Sequence, residues 1–254
     1  MTCSETVRLV TDDDIRLVGV HHTGPDRHLA IVVAHGFTGS VRRPGVDRIM
    51  RHLTRYAGVL GVDFRGHGDS GGVCSGGDVE VRDLVAAVAA VRQRGYRRIA
   101  TVGFSMGGSI ALRHAAGDPG LDAVVSISAP ARWYERGTAP MRRVHWLNET
   151  RLGRRVARTA MQTRLAGPWA EPPEAPVEVV GRIAPRPLLI VHGDRDSYFP
   201  LEHPRALAAA AGTNARLWLV AGMGHAETAV SPDLASAVGR WIRAAVLPSE
   251  AVPV

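Results

Sequence analysis

Two serines stand in the pattern Gly-x-Ser-x-Gly: Ser70 in GDSGG (68–72) and Ser105 in GFSMG (103–107). Flanking glycines let the backbone bend tightly around a serine and leave its Oγ open to attack an electrophile. A hydroxyl is a weak nucleophile at neutral pH, so the chemistry also needs a general base, and the base needs a carboxylate to hold it. One active site uses one nucleophile. The elements around each serine therefore have to decide which of the two could act, and by which chemistry.

The GDSGG string around Ser70 also resembles the nucleophile segment of trypsin-like serine proteases. That chemistry needs a double β-barrel and the chain order His, Asp, Ser. Only 69 residues precede Ser70, too few for a barrel and a half, and Val73 stands where that family usually has proline. The flanking residues alternate between strand and helix patterns, so the trypsin-like reading fails. Gly66, Gly68, Gly71 and Gly72 read instead as a sharp turn after a strand ending at Phe64.

Ser105 has different surroundings. The apolar run IATVGF leads into it and the helix-compatible MGGSIALRHAA leads out. That is the strand–turn–helix context of a nucleophile elbow, with Gly103 and Gly107 relieving crowding in the turn. Such a serine projects above the C-terminal end of a parallel sheet, where open α/β folds bind ligands. The helix N-terminus beneath it offers free N–H groups and the positive end of a dipole. The backbone N–H of Met106, the residue after the nucleophile, is then one donor for an oxyanion. In hydrolases of this design the acid and the histidine follow the serine along the chain. LLIVHGDRDSYFP offers Asp194 and Asp196 after one apolar run, and WLVAGMGHAE offers His225 after the last. His35 and His192 end strands and read as loop-holding residues; His67 lies in the glycine-rich turn.

The elements that position these residues follow from hydropathy patterning. Residues 5–10 and 15–22 alternate around TDDD and predict an N-terminal β-hairpin. Near-continuous apolar runs at 29–36, 57–64, 97–104, 121–128, 186–193 and 215–222 predict strands buried on both faces, as in a parallel sheet. Helical periodicity at 78–94, 106–117, 201–211 and 232–246 falls between them, with Asp78 able to cap the first of these helices and Gly95 to end it. The expected fold is α/β: a mostly parallel eight-stranded sheet with an antiparallel N-terminal hairpin and helices on both faces. Residues 131–184 break the rhythm and read as a small helical cap inserted after the sixth strand. The core is then 1–130 and 185–254. Within the cap, 142–166 could form amphipathic helix with Val144, Leu147, Leu152, Val156 and Leu165 near one face.

Composition narrows the function classes. With 254 residues and 45% hydrophobic content the chain can bury a sizeable core. Cys3 and Cys74 form neither a disulfide framework nor a zinc pattern, which fits a reducing cytoplasm; Cys74 shows no partner that would make it a reactive thiol. MTCSETVRLVTDDDIRL lacks the basic and apolar regions of a secretory signal, and no run suits a membrane span. The net charge of +7 comes from 31 basic residues that are all arginine, as a GC-rich coding bias produces, with no aromatic-interleaved basic motif. Neither nucleic-acid binding nor stable membrane insertion is expected.

The segments VAHGFTGS (33–40), DFRGHGDSGG (63–72), GFSMGG (103–108), HGDRDSYFP (192–200) and GMGHAE (222–227) together resemble the α/β-hydrolase superfamily across essentially the whole chain. They are similar to bacterial serine carboxylesterases and to monoglyceride-lipase-like or acyl-peptidase-like members. The resemblance implies an α/β-hydrolase fold and a catalytic set of Ser105, Asp196 and His225, with Asp194 bracing its loop. It implies Phe37 N–H as the second oxyanion donor, and it makes Ser70 a scaffold residue. The expected activity is hydrolysis of a small-molecule carboxylic ester, or of a related acyl substrate, with no metal and no cofactor. Thioesterase, amidase or acyltransferase chemistry uses the same residues, and a catalytically silent binding module shares the fold. Dehalogenase and epoxide hydrolase chemistry needs aspartate where Ser105 stands. HGF rather than HGGG leaves less backbone room and disfavours bulky tertiary-alcohol esters.

Substrate choice is expected to lie in the cap. Trp133, Tyr134, Trp146 and Trp169 could line an acyl or aryl pocket, or pack the cap onto the body. Residues 131–184 carry ten Arg and five Glu, a net +5, which suits either a solvated helix face or attraction of anionic substrates or lipid surfaces.

Overall fold

The computed structural model describes residues 4–247. The hairpin forms from β1 (Ser4–Val10) and β2 (Arg16–His22), paired in register from Ser4 opposite His22 to Val10 opposite Arg16. Its turn is closed by Thr11, whose Oγ1 accepts from Ile15 N at 2.9 Å and donates to Asp13 at 2.6 Å. Six further strands follow: β3 (Leu29–Ala34), β4 (Gly58–Val62), β5 (Arg98–Phe104), β6 (Ala123–Ile127), β7 (Leu188–Gly193) and β8 (Ala215–Val220). They assemble in the order β1-β2-β4-β3-β5-β6-β7-β8. The pairings of β1 with β2 and of β2 with β4 are antiparallel and all others are parallel. This is the eight-stranded sheet expected from the run spacing.

Alternate residues of the central strands feed two cores. Ala30, Val32 and Ala34 join one core, while Leu29, Ile31 and Val33 join the other. The first is covered by α2 (Glu80–Gln93), α3 (Met106–Gly117) and α7 (Glu202–Ala211); the second by α1 (Pro44–Leu53) and α9 (Pro232–Val246). Burial of both faces explains why these strands read as unbroken apolar runs rather than alternating ones.

Three details depart from the sequence-based expectation. Helix α1 was not anticipated; Pro44 at its first position and buried Val46, Ile49, Met50 and Leu53 are the signal that carries it. Asp78 does not cap α2. Ser75 Oγ accepts from the Asp78 and Val79 N–H groups at 3.1 and 3.0 Å, and the buried Glu80 carboxylate accepts from Ser75 and Gly77 N–H at 2.6 and 2.8 Å. Gly95, at φ +84, does end the helix.

The third concerns the cap. The amphipathic helical segment expected over 142–166 is divided into two helices, α4 (Ala139–Glu149) and α5 (Arg151–Ala160), and ends at residue 160. Thr150 between them is extended, at φ −99 and ψ 148, and its Oγ1 accepts from Gly153 N at 2.9 Å, restarting the helix in a new direction. Leu152 consequently leaves the predicted apolar stripe and is 63% exposed. The chain then returns extended and pairs with the glycine-rich loop. Cys74 N donates to Arg164 O and Arg164 N to Gly66 O, each at 2.7 Å, while the Arg164 guanidinium caps the carbonyls of Ser70 and Gly72. The short helix α6 (Pro176–Val179) leads back to β7. No described helix is long and apolar enough to cross a membrane. Cys74 is buried and burial pushes its thiol well above the usual range, which leaves it protonated; Cys3 lies outside the described residues.

Candidate active site

Ser105 sits between the end of β5 and the first residue of α3, at φ 50 and ψ −118. A non-glycine residue in this region is strained, and the fold holds it from both sides. Ser105 N donates to Ile127 O at 2.8 Å, and Gly107 packs so closely under the turn that an added Cβ would lie 2.3 Å from Ala34 O. Only glycine permits that approach of helix to strand. Met106 opens α3, so its N–H belongs to the helix's unpaired first turn.

His225 follows β8. Its Nε2 lies 3.0 Å from Ser105 Oγ, and its Nδ1 lies 2.8 Å from Asp196 Oδ2. With Nδ1–H donating to the carboxylate, Nε2 accepts from the serine hydroxyl, the protonation state a base requires. Asp196 is buried in the loop after β7. Burial pushes its carboxyl up, but the His225 hydrogen bond and charge, with the Phe199 and Tyr198 N–H groups at 3.1 and 2.8 Å on Oδ1, outweigh this and hold it below the usual carboxylate range. The Tyr198 ring stacks on His225 with centroids 4.0 Å apart, and Phe199 meets it edge-on at 5.6 Å. Asp194 faces elsewhere: its Oδ1 accepts from Gly222 N at 2.7 Å and ties the β7 and β8 loops together.

Ser70 is enclosed and occupied. Its Oγ donates to Asp63 O at 2.6 Å and accepts from Val18 N at 2.9 Å, joining β2 to the end of β4. Beside it, buried Arg65 pairs with Asp83 and Asp13, each at 2.8 Å. His35 donates from Nδ1 to Gly36 O at 2.8 Å and accepts at Nε2 from Phe64 N at 3.0 Å, fixing the loop that carries Phe37. Burial lowers its pKa to about 4 and that of the neighbouring His67 to about 3, so both are neutral in the folded protein. His192 donates from Nε2 to Phe199 O at 2.9 Å, which steadies the Asp196 loop.

A cavity of about 630 Å³ opens over Ser105. Phe37, Met106 and His225 line it, and Gly36 lies so near that an added Cβ would be 3.4 Å from Ser105 Cβ. The cap supplies an apolar wall that includes Trp133, Met141, Val144, Leu147, Met161 and Trp169. Trp133 and Trp169 meet edge-on at 5.3 Å, and Trp133 Nε1 donates to Pro173 O at 2.8 Å. Tyr134 also lines the cavity and stacks on His145. Trp146 does not line it: the residue lies on the opposite side of α4 and is 43% exposed. Sequence reasoning gave no role to Tyr198, which covers the histidine, or to Glu227, whose carboxylate reaches the Gly36 turn; both lie inside quoted motifs, but neither contact has a local sequence signature. Among the described residues no group of three or more His, Cys, Asp or Glu is arranged to hold a metal.

The sequence matches the model of the alpha/beta hydrolase family over residues 31–237, and the chain belongs to that family. Membership supports hydrolase chemistry. None of the curated proteins compared matches it. Among solved structures, the Pyrococcus furiosus esterase Pf2001 is similar at TM-score 0.78 and 23% identity, covering 96% of this chain and 92% of the other. The α/β hydrolase GrgF from Penicillium is similar at TM-score 0.75 and 18% identity, covering 96% and 99%. XC6422 from Xanthomonas campestris, described as an α/β serine hydrolase without a lid, is similar at TM-score 0.64 and 19% identity, covering 96% and 93%. At these identities the likeness is one of fold.

Proposed function

We propose that this chain is a serine hydrolase that cleaves carboxylic esters of small molecules through an acyl-enzyme on Ser105. The observation that carries the reading is the continuous chain of contacts from Asp196 through His225 to Ser105 Oγ, at 2.8 and 3.0 Å, at the floor of the cavity. His225 Nε2 takes the serine proton as Oγ attacks the ester carbonyl carbon. Asp196 holds the imidazole tautomer and stabilises the imidazolium that forms. The Phe37 and Met106 N–H groups receive the oxyanion, and preorganised donors of this kind are worth about 3–4 kcal/mol each in the transition state. Collapse of the tetrahedral intermediate expels the alkoxide, which takes the proton from His225. Water, deprotonated by the same histidine, then releases the acid and restores Ser105.

A cavity of about 630 Å³ suits a small-molecule substrate rather than a folded protein. Its apolar cap wall favours an acyl or aryl group on that side. Hydrolysis of a p-nitrophenyl ester series from acetate to palmitate by wild type and Ser105→Ala tests the reading. The expected result is turnover that falls by on the order of 10⁴–10⁶-fold in the variant. Unchanged turnover in Ser105→Ala would overturn the assignment. Labelling of Ser105 by a fluorophosphonate without turnover of any ester would redirect the search to thioesters and amides, and absence of labelling would favour a binding module.

A further inference from the structure

We propose that the outer face of the cap is a docking surface for an anionic lipid bilayer. The argument begins with Trp146 and Leu152. Both are large, apolar and exposed, at 43% and 63%, and they bracket the Thr150 corner where α4 meets α5. The inner side of α4 gives Met141, Val144 and Leu147 to the cavity, so Trp146 has no part in the pocket. Trp146 and Leu152 are thus two large apolar side chains exposed on either side of one corner of the cap.

Helix α5 supplies the charge. Its sequence RLGRRVARTA carries four arginines and no acidic residue. Gly153 is buried against the end of α4 and Ala157 in the core, while Arg151, Arg155 and Arg158, spaced i, i+4 and i+7, are exposed. Arrangement of this helix runs against its own electrostatics. Arg151 and Arg154 occupy the first turn, where the helix dipole disfavours cations, and Arg151–Arg155 and Arg154–Arg158 are like-charge i,i+4 pairs. Arg154 is anchored to Asn148 O at 2.9 Å. Among the described residues the side chains of Arg151, Arg155 and Arg158 have no hydrogen-bond or ion-pair partner. The acids nearby are engaged elsewhere: Glu149 with Arg136 at 2.5 Å and His145 at 2.8 Å, and Glu135 with His203 at 3.3 Å. Among the described residues no acidic side chain pairs with these three arginines.

A basic helix with an exposed leucine, α5, preceded by an exposed tryptophan on α4, has the composition of a segment that lies in a lipid interface, apolar side chains at the acyl boundary and guanidinium groups among the phosphates. An anionic bilayer covers both halves of the surface at once. A nucleic-acid duplex offers phosphates but no apolar layer for Leu152. Docking of this kind is peripheral and needs no spanning helix.

The test is co-sedimentation of the full-length Ser105→Ala protein with vesicles, which reads binding without any turnover and so does not depend on the ester-hydrolase reading. The protein is expected to sediment with phosphatidylcholine vesicles that contain phosphatidylglycerol, not with phosphatidylcholine alone, and added salt should release it. The added substitutions Arg151→Glu, Arg155→Glu and Arg158→Glu should weaken binding by at least about a hundredfold, since each basic residue near such a surface contributes about 1 kcal/mol. Trp146→Ser with Leu152→Ser should weaken it by roughly tenfold while leaving the salt dependence in place. The neutral triple Arg→Gln variant, with an unchanged thermal melt, separates lost docking from lost folding. Absence of sedimentation, equal binding to both vesicle types, or full binding by a folded charge-reversed variant would each overturn the proposal. Equally tight binding of double-stranded DNA would overturn the lipid as occupant.

Discussion

Asp194 and Asp196 lie two residues apart in one loop and hold different partners: Asp196 accepts from His225 Nδ1 at 2.8 Å, and Asp194 accepts from Gly222 N at 2.7 Å. The two carboxylates therefore separate into distinct tests. Asp196→Asn keeps the shape but offers His225 an amide in place of the carboxylate that selects the Nδ1–H tautomer. Its kcat on a p-nitrophenyl ester is expected to fall by on the order of 10³–10⁴-fold. Asp194→Ala removes a hydrogen bond from an exposed carboxylate, so it should lower stability by about 1 kcal/mol and leave kcat within a few-fold. The reverse pattern, measured by steady-state kinetics and chemical denaturation, would move the orienting role to Asp194.

The two Gly-x-Ser-x-Gly serines should respond in opposite ways. Ser105→Ala removes the group facing His225 and is expected to lose turnover while retaining the wild-type unfolding midpoint. Ser70→Ala leaves the partly buried Val18 N–H without its acceptor and removes the donor to Asp63 O, at a cost of about 1–3 kcal/mol. Its kcat/KM at a temperature where it remains folded should match wild type. Urea denaturation and ester turnover on the two variants give both readouts.

Acid stability follows from the buried histidines under the loop that carries Phe37. Burial depresses His35 to about 4 and His67 to about 3, against an ordinary histidine value of 6.5. A depressed folded value means that the unfolded chain binds protons first. The stability these neutral rings contribute is thus present in full above pH 6.5 and is lost as pH falls toward their folded values, by on the order of 3 kcal/mol or more for each ring. The unfolding free energy should fall through that window. In His67→Asn the decline should be shallower. An equal slope in both proteins would assign the acid sensitivity elsewhere.

The strands, and the placing of Ser105 and His225 at strand ends, were legible because each rests on a local signal, whereas the choice of Asp196 over Asp194 came only from the family resemblance. Buried parallel strands read as apolar runs such as LAIVVA, and the residues above the sheet sit at the ends of those runs. The trypsin-like reading of Ser70 could be set aside by its short preceding length and its flanking pattern, but its actual partners, Val18 in β2 and Asp63 just after β4, have no signature beside it. The same holds for Asp78 and Ser75. Local pattern favoured the aspartate as a cap, whereas α2 starts without a side-chain cap and the turn before it is held by Ser75 and the buried Glu80 carboxylate. Trp146 could be placed on either side of its helix until the packing of α4 turned it outward.

The corner at Thr150 shows how one contact overrides helical periodicity. Val144, Leu147, Leu152 and Val156 are compatible with a continuous helix, and no proline interrupts them. The chain breaks because Gly153 lets α5 cross directly over the end of α4; a Cβ at position 153 would lie 2.2 Å from Trp146 O and 2.6 Å from Leu147 Cα. Those atoms are backbone and cannot swing aside. Gly153→Ala should therefore destabilise the cap despite the higher helix propensity of alanine, by more than about 2 kcal/mol if the corner must open. Because Met141, Val144 and Leu147 on α4 line the cavity, the same change should raise KM for longer acyl esters more than for acetate. Limited proteolysis within 139–160 and the ester series together check both effects. An alanine variant with wild-type stability would show that α4 and α5 can merge into one straight helix, as the periodicity alone suggests.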